Sequence, residues 1–342
     1  MKRVSLSDIA KKVGVSTSLV SIVLNGRGEE LGINKETQQK VISVAKEMNY
    51  RPNQLARSLR LNKSNTIGLI LSNITDKYFS RIASSVEKFA EKLGYQVIIC
   101  TTHEKQERET EQIHMLLDRG VDGLIITPTK KDHSWIKDIN QNKIPFVFID
   151  RYFSKIDTNY VVYENFQGAF DITNHLLSLG YTKIAQLTLI PYMNVIAERD
   201  RGYREALMKN NIRYNKKLVK EICLDNMYDD VKKAIQELLR QPDSVQAIFT
   251  HNTVLTEYVL EVSAEMKLRI PKDFALVSFG DQKIFNSTNP SITCVKTPTD
   301  EIGEKAMEIL MNSINNKIEP TLTQITLPTE IVLRESCGRF LF

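Results

Sequence analysis

Apolar positions in the first fifty residues recur at helical spacing in three short segments. In SLSDIAKKVG, Leu6, Ile9, Ala10 and Val13 fall on one face. In TSLVSIVLNG, Val20, Val23 and Leu24 share a face, and Thr17, Ser18, Ser21, Ile22 and Asn25 occupy the remainder. In KETQQKVISVAKEMNY, Val41, Ile42, Ala45 and Met48 give a third packing stripe, with Asn34 placed as its cap. Gly14-Val15-Ser16 breaks the first helix from the second, Ser16 is positioned as the second helix's N-cap, and Pro52 ends the unit. The pattern predicts a helix-turn-helix whose second helix presents short side chains able to approach base edges.

The next segment, NQLARSLR, sets Leu55, Ala56 and Leu59 on one side. Two turns are too few for a stable helix in water. From Thr66 the pattern changes to apolar runs alternating with amphipathic helices. TIGLILS, YQVIICT, VDGLIIT and PFVFID are the runs, and the segments from Tyr78 and Glu107 are the first intervening helices. This rhythm predicts a parallel sheet with right-handed crossovers. It restarts near residue 160 with VVYE, a helix, KIAQLTL, a helix containing ERDRGYREALMKN, and then VQAIFT and FALVSF. ITCVKT, one more helix and two short strands close the chain. The fold expected is an N-terminal all-α helix-turn-helix head joined to an α/β core of two Rossmann-like lobes. A ligand would sit between the lobes, at the carboxyl ends of the strands.

Charge sharpens the picture of the head. Residues 1–63 carry twelve lysines and arginines against five acids, a net +7, while the rest of the chain is at −2. A basic head on a near-neutral body points to a polyanion bound at one end. Cys100, Cys223, Cys294 and Cys337 are scattered without a CxxC pair, so neither a disulfide framework nor a zinc site is expected. His103, His114, His133, His175 and His251 have no HExxH spacing, and phosphate-binding glycine motifs are missing, so no metal, cofactor or enzymatic role is expected. Trp135 reads as a packing residue. Met1 leads straight into the basic unit with no apolar export segment, and no apolar run is long enough to span a bilayer, so a cytoplasmic location is expected. A solute-binding or sugar-modifying protein would conflict with that basic head.

Six strings in order carry a family resemblance: LSDIAKKVGVSTSLVSIVLNG, NYRPNQLARSLR, TIGLIL, HLLSLGYTKIA, ERDRGYREAL and IPKDFALVSFGD. Together they resemble the lactose-repressor (LacI/GalR) family of transcription regulators over nearly the whole chain. The resemblance implies a DNA-binding head at 1–52, a hinge helix and linker at 53–62, and an effector-binding and dimerisation core at 63–342. The core would resemble type I periplasmic binding proteins, with lobe one at about 63–159 and 291–321 and lobe two at about 160–290 and 322–336. It implies a homodimer on palindromic double-stranded DNA, controlled by a small effector such as a sugar or sugar derivative. A nucleobase or a protein coregulator is the alternative signal. No heptad tail follows the last strand, so a dimer is expected rather than a tetramer.

DNA contact is expected from Leu6, Ser16, Thr17, Ser18, Ser21, Ile22 and Asn25 in the head. Ile22 either faces the groove, where it can touch only a thymine methyl, or packs into the head. The resemblance implies that the hinge helix forms on DNA, with Leu59 wedged in the minor groove beside Ala56, and Arg57 and Arg60 on phosphates. A plain linker with Leu59 on the core is the other reading. For the effector, the resemblance points to Asn73, Phe79, Asp150, Tyr192, Arg199, Asn252 and Asp281. Arg199 has a fork suited to vicinal hydroxyls or a carboxylate, or it forms an interlobe salt bridge. Asp150, Asn73 and Phe79 either face the ligand or serve as strand-end caps and core. Four departures stand out. The loop GRGEELGI is long, and Arg27 in it is either a backbone contact or solvated. Leu19 stands where Thr is common, Ile22 where Arg or His is common, and Gly280 where sugar-binding members carry Asp. At Gly280 the missing acceptor is either gone or supplied by Asp281.

Overall fold

The computed structural model describes residues 4–50, 63–129, 133–189, 194–240, 244–315 and 322–339. The chain divides into two compact units, residues 1–64 and 65–342, each described by itself.

In the first unit, α1 (Leu6–Val13), α2 (Thr17–Leu24) and α3 (Lys35–Glu47) form a three-helix head. Ser5 and Asp8 make a reciprocal capping box on α1, and Gly14 closes it at φ +80°, the left-handed region that favours glycine. The Ser16 hydroxyl caps α2 by accepting the Leu19 N–H at 3.2 Å. Ile9, Val20 and Val41, one from each helix, are fully buried and meet in the centre. Ile42 departs from its expected place: it is 52% exposed, and Val44 packs in its stead. At 100° per residue the stripe through Val41, Ala45 and Met48 passes through position 44 rather than 42.

The second unit holds two six-stranded sheets. Its elements run β1 (Thr66–Leu71), α4 (Lys77–Lys92), β2 (Gln96–Thr101), α5 (Gln106–Asp118), β3 (Gly123–Ile126), α6 (Ile136–Gln141), β4 (Phe146–Ile149) and β5 (Tyr160–Tyr163). There follow α7 (Asn165–Ser178), β6 (Ile184–Leu189), α8 (Asn194–Lys209), β7 (Val219–Ile222), α9 (Met227–Leu239), β8 (Ala247–Thr250), α10 (Thr253–Glu265) and β9 (Ala275–Phe279). The chain ends with β10 (Thr293–Lys296), α11 (Thr299–Asn315), β11 (Gln324–Leu327) and β12 (Glu330–Val332). Strand orders are β11-β5-β4-β3-β1-β2 and β12-β10-β9-β8-β6-β7. Every pairing is parallel except β10 with β12.

The lobe boundaries differ from those expected at three strands. β5 belongs to lobe one, where Phe148 aligns with Tyr160 and Ile149 with Val161. β10 belongs to lobe two, between β9 and β12, and β11 returns to lobe one as the neighbour of β5. The chain therefore crosses between lobes three times, near residues 164, 297 and 328. The alternation of apolar runs locates strands but carries no information on which sheet edge accepts each one. β7, α9 and α10, which the apolar rhythm did not single out, complete lobe two.

Close approach at two glycines sets the helix layers. In lobe one α11 lies on α4 with Gly303 against Ser85, where a Cβ would come within 2.6 Å of the serine Oγ. In lobe two α8 lies on α7 with Gly202 against the Phe166 carbonyl, and a Cβ there would stand 2.9 Å from the Phe170 nitrogen. Both contacts at Gly202 are to backbone, which cannot rotate away. Gly202→Ala is expected to cost about 1–3 kcal/mol by overpacking. Urea denaturation checks this, and an unchanged midpoint would show that α7 and α8 are not in such close contact.

Candidate functional site

A cavity of about 90 Å³ lies between the lobes, at the carboxyl ends of β4, β5, β8 and β9. It is built around Arg199, from α8. Gly202, one turn on, lets that helix approach α7, and the Tyr203 hydroxyl ties it to β6 through the Ile184 carbonyl at 2.8 Å. The close approach brings Arg199 Nε to 2.8 Å from Asn165 Oδ1, at the start of α7. Nη1 donates to the carbonyl of His251, and Nη2 to the Tyr163 hydroxyl at 2.8 Å. The guanidinium lies over the Phe279 ring, 4.0 Å from its centroid, and is 6% exposed. Cation–π attraction and three acceptors offset the desolvation.

Tyr163 carries this arrangement across the cleft, since it ends a lobe-one strand. Its hydroxyl accepts from Arg199 and donates to Asp150 Oδ1 at 3.2 Å. Burial is the main reason its pKa lies far above the ordinary tyrosine value, which keeps that proton in place. Tyr78, from α4, donates to the same Asp150 oxygen at 2.7 Å. Asp150 follows β4 in the left-handed region at φ +65°, a conformation Asp tolerates better than most residues, and is 3% exposed. Arg151 stands 3.3 Å from the other Asp150 oxygen and binds Glu104 bidentately at 2.8 and 2.9 Å. On the lobe-two side, Asn252 caps α10 through Oδ1, which accepts from the Leu255 N–H at 2.8 Å, leaving its amide N–H groups. The array offers hydroxyl acceptors on one wall and a cationic donor on the other, as a small polar ligand requires.

A family model described as bacterial regulatory proteins, lacI family, matches residues 5–53, and one described as a periplasmic binding protein-like domain matches residues 173–337. The ribose operon repressor of Halalkalibacterium halodurans is 30% identical over 332 residues, which is 97% of this chain and 96% of that protein. The chain belongs to the lacI family. Among solved structures, the lac repressor dimer bound to operator and an anti-inducer superposes with a TM-score of 0.83 at 23% identity, covering 98% of this chain and 99% of that one. A complex of the regulator CelR with cellobiose superposes with a TM-score of 0.71 at 25% identity, covering 98% of this chain and 100% of that one.

In this lacI-family chain, Phe79, Asp150, Arg199, Asn252 and Asp281 line the cavity. Phe79 is otherwise packed in the lobe-one core, edge-on to Tyr78. Asn73 does not line the cavity. Its Oδ1 accepts from the backbone and hydroxyl of Thr75 at 3.0 and 2.9 Å, a turn made after β1. Asp281 lines the cavity with its carboxylate held bidentately by Arg334 at 3.0 Å on each oxygen. Gly280 itself has φ +102°, which favours glycine, and a Cβ there would lie 2.7 Å from the Thr253 methyl, so a side chain would be strained. Among the described residues the interlobe partner of Arg199 is the Tyr163 hydroxyl and not a carboxylate. Tyr192 lies outside the described residues.

In the head, Thr17 and Ser18 are exposed, and Ser21 and Ile22 are half-buried. Ile22 lies outside the head's apolar cluster, whereas Leu6 and Leu19 pack against it. Asn25 turns its amide back on its own helix, to the Ser21 carbonyl at 2.6 Å. Arg27 is exposed and engaged by Glu30 through two contacts of 3.0 Å. Leu55, Ala56, Arg57, Leu59 and Arg60 lie outside the described residues.

Tyr163, Tyr78, Arg151 and Glu104 were not singled out by sequence. Tyr163 had a usable signal, because it ends an apolar run and strand ends line such clefts. The pairing of Arg151 with Glu104 had none, because it joins two loops 47 positions apart.

His251 is fully buried, and burial together with Arg199 lowers its pKa to about 3. Its Nε2 meets Gln186 Oε1 at 2.9 Å, and Nδ1 has no hydrogen-bond partner. The unfolded chain takes up a proton below about pH 6.5 that the folded protein refuses, so stability is full above that value and is lost as pH falls toward 3. Between pH 7.5 and 5.0, wild type is expected to lose about 2 kcal/mol more than His251→Gln in urea denaturation. Equal pH dependence of the two would show that His251 is not held neutral.

Proposed function

We propose that the protein is a cytoplasmic transcriptional repressor that binds palindromic DNA as a homodimer and responds to a sugar-sized effector in the interlobe cleft. The observation that carries the effector reading is Arg199, fixed by Asn165, Tyr163 and the His251 backbone on one side of a cavity whose other wall holds Asp150. A water occupies roughly 10–15 Å³ on the same scale. A volume of about 90 Å³ therefore suits a monosaccharide better than a longer glycan. The ribose operon repressor among its relatives supports the same reading.

The DNA reading rests on the head. Its +7 charge supplies sequence-independent attraction to phosphates. Ser16, which caps α2, and Thr17, Ser18 and Ser21 on it carry single hydroxyl groups and Ile22 is aliphatic, so none of these five can make the bidentate contacts that read guanine or adenine, and the Asn25 amide, which could, is turned to the Ser21 carbonyl. Leu59 inserted at the centre of the site, with Ala56 beside it and Arg57 and Arg60 on the backbone, would add readout through bending.

Effector and operator communicate through the lobes. The Tyr78–Asp150–Tyr163–Arg199 chain of contacts spans the cleft. A ligand that adds to or replaces those bonds biases the angle between lobes, and that angle sets the spacing of the paired hinges.

Two outcomes are expected with operators selected from random-sequence DNA by the full chain. Fluorescence anisotropy should show the full palindrome bound far more tightly than a half-site, with affinity falling by about 10³-fold or more between 50 and 200 mM salt. Equal affinity for the two sites rules out the two-fold dimer. Replacing thymine by deoxyuridine at the base pair facing Ile22 should weaken binding by about 0.8 kcal/mol, the value of one buried methyl. A uniform tolerance of deoxyuridine across the half-site places Ile22 away from the bases.

A further inference from the structure

Four loops in each lobe join a helix to the next strand, and because those strands are parallel the loops gather at the end of the sheet opposite the cleft. In lobe two they are residues 179–183, 210–218, 240–246 and 266–274. Residues 210–218 hold Arg213, Lys216 and Lys217, and residues 266–274 hold Lys267, Arg269 and Lys272. Lys183 and Arg240 come from the other two loops. Against these eight cations stand Asp243 and Asp273, a net +6 within a core whose own charge is −2. All eight except Lys183 are exposed, and Asp273 is bound to Arg269 at 3.6 Å. The last turns of the same helices add Lys209, Glu237 and Glu265, and both acids are paired, with Lys220 and Lys232. After β12, Glu335 and Arg339 add one charge of each sign.

Cations near a helix C-terminus offset the helix dipole, which is the ordinary reason to find them there. The equivalent loops of lobe one, residues 93–95, 119–122, 142–145 and 316–323, follow helices of the same kind and hold three cations against two acids. The dipole therefore does not account for the excess in lobe two. Its four loops adjoin one another. The order β9-β8-β6-β7 sets them side by side across roughly 15 Å, and Gln246 accepts the backbone N–H groups of Thr182 and Lys183 at 2.8 and 3.0 Å. Among the described residues of these loops no large apolar side chain is exposed, and the core of a protein–protein interface needs such side chains. Asn211 and Asn215 lie exposed among the cations, and amide N–H groups also donate to phosphate oxygens. We propose that this end of lobe two binds a second segment of duplex DNA through its phosphates, without base readout and separately from the head. Lysines and arginines on short loops reach phosphates without entering a groove. A molecule occupied at both surfaces bridges two duplexes. The proposal is independent of what occupies the cleft.

A two-duplex capture assay tests this on the full chain. The protein is held on an immobilised operator selected from random-sequence DNA, and a fluorescent duplex lacking that sequence is added. The second duplex is expected to be retained at 50 mM salt, with its affinity falling by about 100-fold by 200 mM, as about four phosphate contacts require. Combining Arg213→Glu, Lys216→Glu and Lys217→Glu should weaken the second duplex by about tenfold or more and leave operator affinity unchanged. The milder pair Lys216→Gln and Lys217→Gln should give a smaller loss in the same direction, and it decides the question where the triple variant fails to fold. Failure of the wild type to retain a second duplex overturns the proposal. Undiminished retention by the variants also overturns it, because the second duplex would then sit on a head. Polyglutamate bound where the duplex is not, and lost in the same variants, assigns the surface to an acidic protein and overturns the DNA assignment.

Discussion

One guanidinium organises the core. Arg199 reaches the cleft because α8 lies close enough to α7 for its Nε to meet Asn165, and that proximity exists because residue 202 has no side chain. Tyr203 then fixes the helix to β6. The string Arg-Asp-Arg-Gly-Tyr thus combines a cavity-lining donor, a packing constraint and an anchor within five residues. Loss of the close approach would move the charge and leave Tyr163 and the His251 carbonyl without their donor.

The same group couples the two lobes. Its bond to Tyr163 passes to Asp150 and Tyr78, so a change at either wall is felt at the other. Low dielectric surroundings strengthen each contact and make any unmatched group expensive. Two further contacts bridge the lobes away from this chain, Arg81 to the Asp281 carbonyl at 3.4 Å and Asn194 to the Tyr152 carbonyl at 3.3 Å.

Head and core divide the chemistry of recognition. The head carries its net charge of +7 as dispersed lysines and arginines and presents short side chains along α2. The core places a few buried polar groups, Arg199 and Asp150 among them, around a cavity between the lobes. Among the described residues no helix is long and apolar enough to cross a membrane.

Helical periodicity around Ile9, Val20 and Val41 was enough to determine the head, because local spacing and caps decide a three-helix unit. Apolar runs located the strands of both lobes for a similar reason: a parallel strand buried on both faces is legible as a continuous apolar run. Arg199, Asp150 and Asn252 were also readable, since each sits at a strand end or in a distinctive string. Tertiary structure alone decided the rest. The assignment of β5, β10 and β11 to their lobes depends on which sheet edge is open, and no local pattern encodes that. Asp281 looked available in sequence and is held by Arg334, a partner 53 positions away. Gly280 looked like a missing carboxylate, and the structure adds that its φ of +102° and the nearby Thr253 methyl favour glycine there. Ionic partners and backbone dihedrals at these positions are set by long-range packing, which the order of residues does not reveal.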